Sequence, residues 1–216
     1  MSVQEGEYCG FLTTIEEPGI LVVTFNRPES LNASTAAMKR DLVELLTQTQ
    51  MDDAIRIVVF TGQGSAFWAG DDLKGYGGDS VQVPQIHHGH HNPSGTYNGL
   101  RTISQAVNTA VRNLDKISIA AINGFAIQTG FSLALACDFR IASRSAKLGS
   151  ATLRFGLLPD EGGQWLLVQH LGVAKATDFK MRKRIVDGEA AHDLGLVHEV
   201  VDDDSLMDET LSLARE

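Results

Sequence analysis

A chain of 216 residues, 43% hydrophobic and 21% charged, has the length and balance of a globular protein able to bury a substantial core. Its net charge of -9 and scattered Lys and Arg residues argue against a nucleic-acid partner, yet a small anionic ligand could still be held by a few local cations and backbone amides. No apolar run reaches the ~18 residues that span a bilayer and the start is acidic and polar, so the expectation is a cytoplasmic protein with no membrane partner.

In chain order, residues 11–15 and the β-branched run 20–25 read as a hairpin around Glu16-Glu17-Pro18-Gly19. From Ser34 the apolar residues Met38, Leu42, Leu45 and Leu46 recur at helical spacing, and the β-branched run 55–60 then predicts a strand. Residues 75–99 lose periodicity and fill with Gly, Pro, Asp, Ser and His, which predicts a long surface loop of the kind that forms lids. Leu100, Ile103, Val107, Val111 and Leu114 mark a helix, residues 117–122 a buried strand, and residues 139–142 another. A helix from Trp165 closes at Gly172, a second covers 174–184, and residues 197–201 suggest a last strand before an acidic helix start at Asp202-Asp203-Asp204-Ser205. The alternation is that of an α/β protein. Cys9 and Cys137 lie far apart and form no C-x-x-C pair, so neither a disulfide nor a zinc site is expected. The cluster His87-His88-Gly89-His90-His91 invites a metal reading, but it has no cysteine or acidic companion, and a solvated loop tip accounts for it better.

Three glycine-containing segments follow apolar strands, where a chain can turn sharply and offer amides to an anion. Thr61-Gly62-Gln63-Gly64-Ser65-Ala66-Phe67 lacks the third glycine and the ribose-binding acid of a dinucleotide loop and is read as a turn. The other two are Phe67-Trp68-Ala69-Gly70-Asp71-Asp72-Leu73-Lys74, and Asn123-Gly124-Phe125-Ala126-Ile127-Gln128-Thr129-Gly130 with the apolar run that follows it. Together with Asn26-Arg27-Pro28-Glu29-Ser30-Leu31-Asn32-Ala33, Phe155-Gly156-Leu157-Leu158-Pro159-Asp160-Glu161-Gly162-Gly163 and Gly188-Glu189-Ala190, they resemble, in order and spacing, the signature segments of the enoyl-CoA hydratase/isomerase (crotonase) family.

That resemblance implies an α/β fold, a crotonase-like spiral of ββα units with surrounding helices, assembled as a homotrimer or hexamer. It implies a core over residues 1–201, with residues 202–216 as the start of a C-terminal helical segment cut short. The substrate it implies is an acyl-CoA thioester, with no separate cofactor and no metal. By position, the amides of Asp71 and Thr129 would form the oxyanion hole for the thioester carbonyl. An aspartate there opposes a developing oxyanion unless its carboxylate points away, and Thr129 stands where glycine is usual. Trp68, Ala69, Gly70, Gly130, Ser132 and Thr152 would line the substrate site, while Arg27 and Lys74 would face CoA phosphates or simply be solvated charges.

Ser132 and Thr152 are the positions at which the family's hydratases carry the two glutamates that hold and activate water. Hydroxyls cannot replace them near neutral pH. Asp160 falls where isomerase-type members carry a proton-shuttling aspartate, although Pro159-Asp160-Glu161 is also how a helix N-terminus is written. Glu161 is expected to point elsewhere on that turn. The expectation is therefore an enzyme, a double-bond isomerase with Asp160 as base; the alternatives are a catalytically degenerate CoA-binding or assembly module and an atypical hydratase, that is, a lyase. Trp68 and Trp165 flank the chemical segments and could shape an acyl pocket or simply pack as core aromatics.

Overall fold

The computed structural model describes residues 2–72, 93–150, 152–156 and 161–216. Strands β1 (Gly6–Tyr8), β2 (Phe11–Glu16) and β3 (Ile20–Phe25) form an antiparallel meander, whose second turn is the hairpin read from the sequence. Helix α1 (Ala36–Gln50) follows, its first turn capped by the Thr35 hydroxyl accepting from the Met38 amide. Strands β4 (Ile57–Gly62) and β5 (Ala66–Trp68) come next, then a helical run made of α2 (Pro93–Gly99), a π turn over Leu100–Ser104 and α3 (Gln105–Arg112). Two further units repeat the order strand, strand, helix. They are β6 (Ile117–Ile122), β7 (Phe125–Ile127) and α4 (Thr129–Ala136), and then β8 (Phe139–Ser143), β9 (Lys147–Gly149) and α5 (Gly163–Met181). Strand β10 (Ile185–Asp187), α6 (Gly188–Asp193), β11 (Glu199–Val201) and α7 (Leu206–Arg215) complete the chain.

Each ββα unit sends its first strand to a large sheet and its second to a small one. The large sheet runs β1-β2-β3-β4-β6-β8-β11 and is parallel from β3 onward. The small sheet runs β10-β9-β7-β5, with β9, β7 and β5 parallel. This is the expected α/β spiral. The central strands β3, β4 and β6 are largely apolar because both faces are covered, as parallel sheets require. Leu21, Val23, Phe25, Val58, Phe60, Ala120 and Ile122 enter the main core, and the alternate residues Ile20, Val22, Val59, Ile119, Ala121 and Ile141 pack with Leu206 and Ala214 of α7 on the other face. Helix α7 thus packs on this second face through Leu206 and Ala214.

One sequence expectation changes. Residues 93–99, read as the end of a surface loop, are helical, because they continue without interruption into the π turn and α3. The remainder of that loop, 75–92, with the histidine cluster, lies outside the described residues. At the other end, the two helices expected on either side of Gly172 are found: α5 is two helical arms separated by the non-helical Gly172, at φ 71° and ψ 164°. Cys9 is exposed, whereas Cys137 is buried and its thiol is pushed up to about 12 by desolvation, so it remains a protonated core side chain. No helix among the described residues is long and apolar enough to cross a membrane.

The segment leading into α1 is held by one fully buried side chain. Asn32, at φ 57°, accepts the Arg27 amide on Oδ1 at 2.8 Å and donates from Nδ2 to the carbonyls of Gln63 (3.0 Å) and Ala66 (2.6 Å). Asparagine both tolerates the left-handed backbone and satisfies three main-chain groups. Asn32→Ala removes the partner of the Arg27 amide and the Gln63 carbonyl, while Ala66 O keeps Asn123 Nδ2 at 3.3 Å, and should cost about 2–3 kcal/mol by urea denaturation. A loss below about 0.5 kcal/mol would show that the segment is held by other contacts.

Candidate active site

Parallel pairing fixes where the chemistry converges. Because β5, β7 and β9 run the same way, with Trp68 beside Ala126 and Ile127 beside Gly149, their C-terminal ends lie at one edge of the small sheet. The segments that leave them, Ala69 to Asp71, Gln128 to Thr129 and Ser150 to Thr152, are therefore neighbours, although they are far apart in sequence. Ligands of α/β folds gather at such carboxyl ends.

The first of these turns is interlocked with the loop before α1. The Ala69 amide donates to Leu31 O at 3.1 Å, Ser34 N to Gly70 O at 2.9 Å and Asp72 N to Ser34 O at 2.9 Å. This parallel bridge directs the Asp71 amide away from Ser34. The Trp68 indole, fully buried against Phe25 at 4.8 Å, donates to Gly70 O at 3.0 Å and fixes the turn from below. Across from it, α4 begins at Thr129, so the Thr129 amide belongs to a first turn whose N–H groups point out of the helix. The helix sits directly on β5: a Cβ at Gly130 would lie 1.9 Å from Trp68 O.

The Asp71 carboxylate, a liability beside an oxyanion, is turned onto cationic and hydroxyl donors. Its Oδ1 accepts from Lys39 Nζ at 2.7 Å, Ser34 Oγ at 2.9 Å and Thr129 Oγ1 at 3.1 Å. Lys39 is itself buried, its side chain 4% exposed, so the charge pair is compensated inside the protein. The two residues proposed as amide donors are thereby tied to each other through their side chains.

A second polar network lies behind Thr129. Gln128, at the unusual φ 53° and ψ -106°, donates from Nε2 to Glu161 Oε1 at 2.7 Å, and its Oε1 accepts from Ser150 Oγ. Ser132 Oγ donates to the same Glu161 oxygen at 2.7 Å, and Glu161 is only 2% exposed. Ser150 Oγ accepts from Lys180 Nζ at 2.6 Å and lies 3.3 Å from Thr152 Oγ1. Burial pulls the Lys180 ammonium down to about 8, against an upward pull from Glu161. Ser132, Thr129 and Thr152 are thus brought to one place. Glu161, which the sequence reading turned away from the site, points into it.

The remaining candidates are placed as follows. Arg27 pairs with Asp72 at 2.9 Å and donates to Ala33 O, so its guanidinium braces the loop before α1. Ala69, Gly70 and Gly130 contribute backbone. Trp68 is interior, whereas Trp165 is 58% exposed. Asp160 and Lys74 lie outside the described residues. Among the described residues no cluster of three or more metal-ligating side chains occurs.

With this geometry in place, three comparisons bear on it. The enoyl-CoA hydratase/isomerase family model matches residues 15–216. A 1,2-epoxyphenylacetyl-CoA isomerase of Escherichia coli is 37% identical over 209 residues, covering 95% of this chain and 75% of that protein. A probable peroxisomal enoyl-CoA hydratase of Arabidopsis thaliana is 36% identical, over 93% of this chain and 68% of its own length. Among solved structures, an enoyl-CoA hydratase from Bacillus anthracis superposes with a TM-score of 0.85 at 30% identity, over 96% of this chain and 76% of that one. A monofunctional enoyl-CoA isomerase from M. smegmatis gives a TM-score of 0.76 at 31% identity, over 95% and 83%.

The depressed Lys180 has a measurable consequence. Between about 8 and the ordinary 10.5 the unfolded chain keeps a proton that the folded lysine has released, so this group makes stability rise with pH across that window. Lys180→Met should remove that rise when urea unfolding of the two proteins is compared at both ends of the window. Identical pH slopes would mean that the ammonium does not experience the burial.

Proposed function

The chain belongs to the enoyl-CoA hydratase/isomerase family, and from that premise we propose that it moves a double bond in an acyl-CoA thioester by proton abstraction and return. A base takes a proton from a carbon next to the double bond, and the electron pair moves through the conjugated system onto the thioester oxygen. The amides of Asp71 and Thr129 receive the resulting oxyanion, a type of contact worth roughly 100- to 1000-fold in kcat per donor. The proton is then delivered to the other end of the allylic unit, and the enolate collapses. Asp160 is the proposed base, on its position next to Pro159 at the entry to α5.

The observation that favours this reading over hydration is the chemistry around Thr152. Its hydroxyl lies 3.3 Å from that of Ser150, and Ser132 likewise offers a hydroxyl where hydratases of the family place a carboxylate. Hydration calls for a water gripped between two carboxylates on facing walls. Here neither of those two positions, Ser132 and Thr152, carries a carboxylate. A proton shift needs no held water and no second wall. Two relatives whose names specify isomerases are consistent with this choice.

The purified protein should convert 3-enoyl-CoA substrates to 2-enoyl-CoA products across a panel of chain lengths, and hydrate crotonyl-CoA far more slowly. Asp160→Asn should lower migration at least ~100-fold without unfolding the protein. Efficient hydration by the wild type, or full migration by Asp160→Asn, would overturn the assignment.

We also propose a homotrimer or a dimer of trimers. Helix α5 exposes Trp165, Val173 and Met181 at 58%, 70% and 65%, which suits an assembly surface better than a solvated one. Light scattering at micromolar concentration should give three or six subunits; a monomer would refute it.

A further inference from the structure

We propose that Glu161 is a second acid–base carboxylate of the acyl pocket, and that it fills, from the start of α5, the place of the carboxylate missing at Ser132 on α4. The inference rests on the isomerase reading for its reaction, but its geometry is independent of Asp160. Ser132 is where hydratases of the family place a glutamate, next to the reacting carbons. In this chain the Ser132 hydroxyl donates to Glu161 Oε1 at 2.7 Å, so a carboxylate stands one hydrogen bond from that place.

The surroundings are built to receive it. Gly162 turns at φ 96°, and a Cβ on Gly163 would lie 2.2 Å from Ser132 Oγ and 3.1 Å from Glu161 Oε1, so the short turn packs the carboxylate onto α4 only because residue 163 is glycine. The backbone is anchored from behind, where buried Asn108 donates to Glu161 O at 2.8 Å. Gln128 Nε2 donates to the same carboxylate oxygen at 2.7 Å, immediately before the Thr129 amide. Lys180, joined to Gln128 through Ser150, adds a cationic charge on the far side. The carboxylate is thereby tied to the residue that precedes the proposed oxyanion donor.

Glu161 acts on a second substrate carbon. When Asp160 breaks the first C–H bond and the electron pair moves onto the thioester oxygen, a protonated Glu161 forms the new C–H bond, and its O–H electron pair remains on the carboxylate as the enolate collapses. The reverse reaction exchanges the two roles. Protons and electrons balance without a further reagent, and both carboxyls are reset through solvent.

The test uses Glu161→Gln, which keeps the acceptor oxygen for Ser132 and Gln128 and so preserves their positions while removing the proton carrier. Migration of 3-enoyl-CoA should fall at least ~100-fold in kcat, with KM changed by less than about threefold. In heavy water, the wild type should place deuterium at the γ-carbon of the 2-enoyl product, whereas Glu161→Gln should lose that γ-label while still exchanging the α-hydrogens of butyryl-CoA through Asp160. A second protein, Glu161→Ala with Ser132→Glu, returns the carboxylate to α4 and should recover at least ~10-fold over Glu161→Ala alone. Full migration with γ-deuteration by Glu161→Gln would overturn the proposal and leave the isomerase reading intact. A wild type that exchanges α-hydrogens but moves no double bond would overturn the isomerase reading and, with it, the proposal.

Discussion

Everything at the candidate site depends on the parallel pairing of three very short strands. Ala66–Trp68, Phe125–Ile127 and Lys147–Gly149 hold only three residues each, yet their common direction decides that Asp71, Thr129 and Thr152 share one edge. Such strands could not stand alone. They are held because each is preceded by a long strand of the large sheet and packed under a helix, so the large hydrophobic core determines the position of a small polar cluster. The close seat of α4 on the Trp68 carbonyl transmits that order to the Thr129 amide without intervening side chains.

Charge is handled by pairing at close range. Each carboxylate described here meets several donors. Asp71 has Lys39, Ser34 and Thr129, while Glu161 has Gln128 and Ser132 with Lys180 beyond. In a low-dielectric setting such donors keep a carboxylate in place and keep its field from dominating a neighbouring oxyanion. The two clusters meet at consecutive residues, Gln128 and Thr129, so the turn carrying one proposed amide donor is gripped from both sides. That grip also accounts for a non-glycine residue at φ 53°, a conformation costing on the order of 1–3 kcal/mol that only a well-tied side chain sustains.

Much of the fold is legible in the sequence because long buried strands announce themselves: the run 117–122 is strand β6 to the residue. The small sheet is not legible, since alternation over three residues carries no signal, and its strands surface only as family segments. Residues 93–99 mislead for another reason. Pro, Ser, Gly and Asn are poor helix formers, and it is continuity with α3 that makes them helical. At the site, the convergence of Asp71, Thr129, Ser132 and Thr152 follows from the resemblance, but the orientation of two side chains does not. Asp71 looks hostile to an oxyanion until Lys39, thirty-two positions earlier, is seen beside it. Glu161 looks like a turn residue beside Asp160, because nothing local reveals that Gly162 and Gly163 swing it onto Ser132.

The bend at Gly172 has a mechanical meaning. A continuous nineteen-residue helix would act as a rod, transmitting any rotation at its start, two residues after Glu161, to its last turn, where Lys180 reaches back to Ser150. With ψ at 164° the hydrogen-bond ladder is interrupted midway, and the two arms become separate levers hinged at one residue. The arm that follows the carboxylate turn can therefore shift while the arm that carries the lysine stays docked, so movement at one end does not loosen the charge at the other.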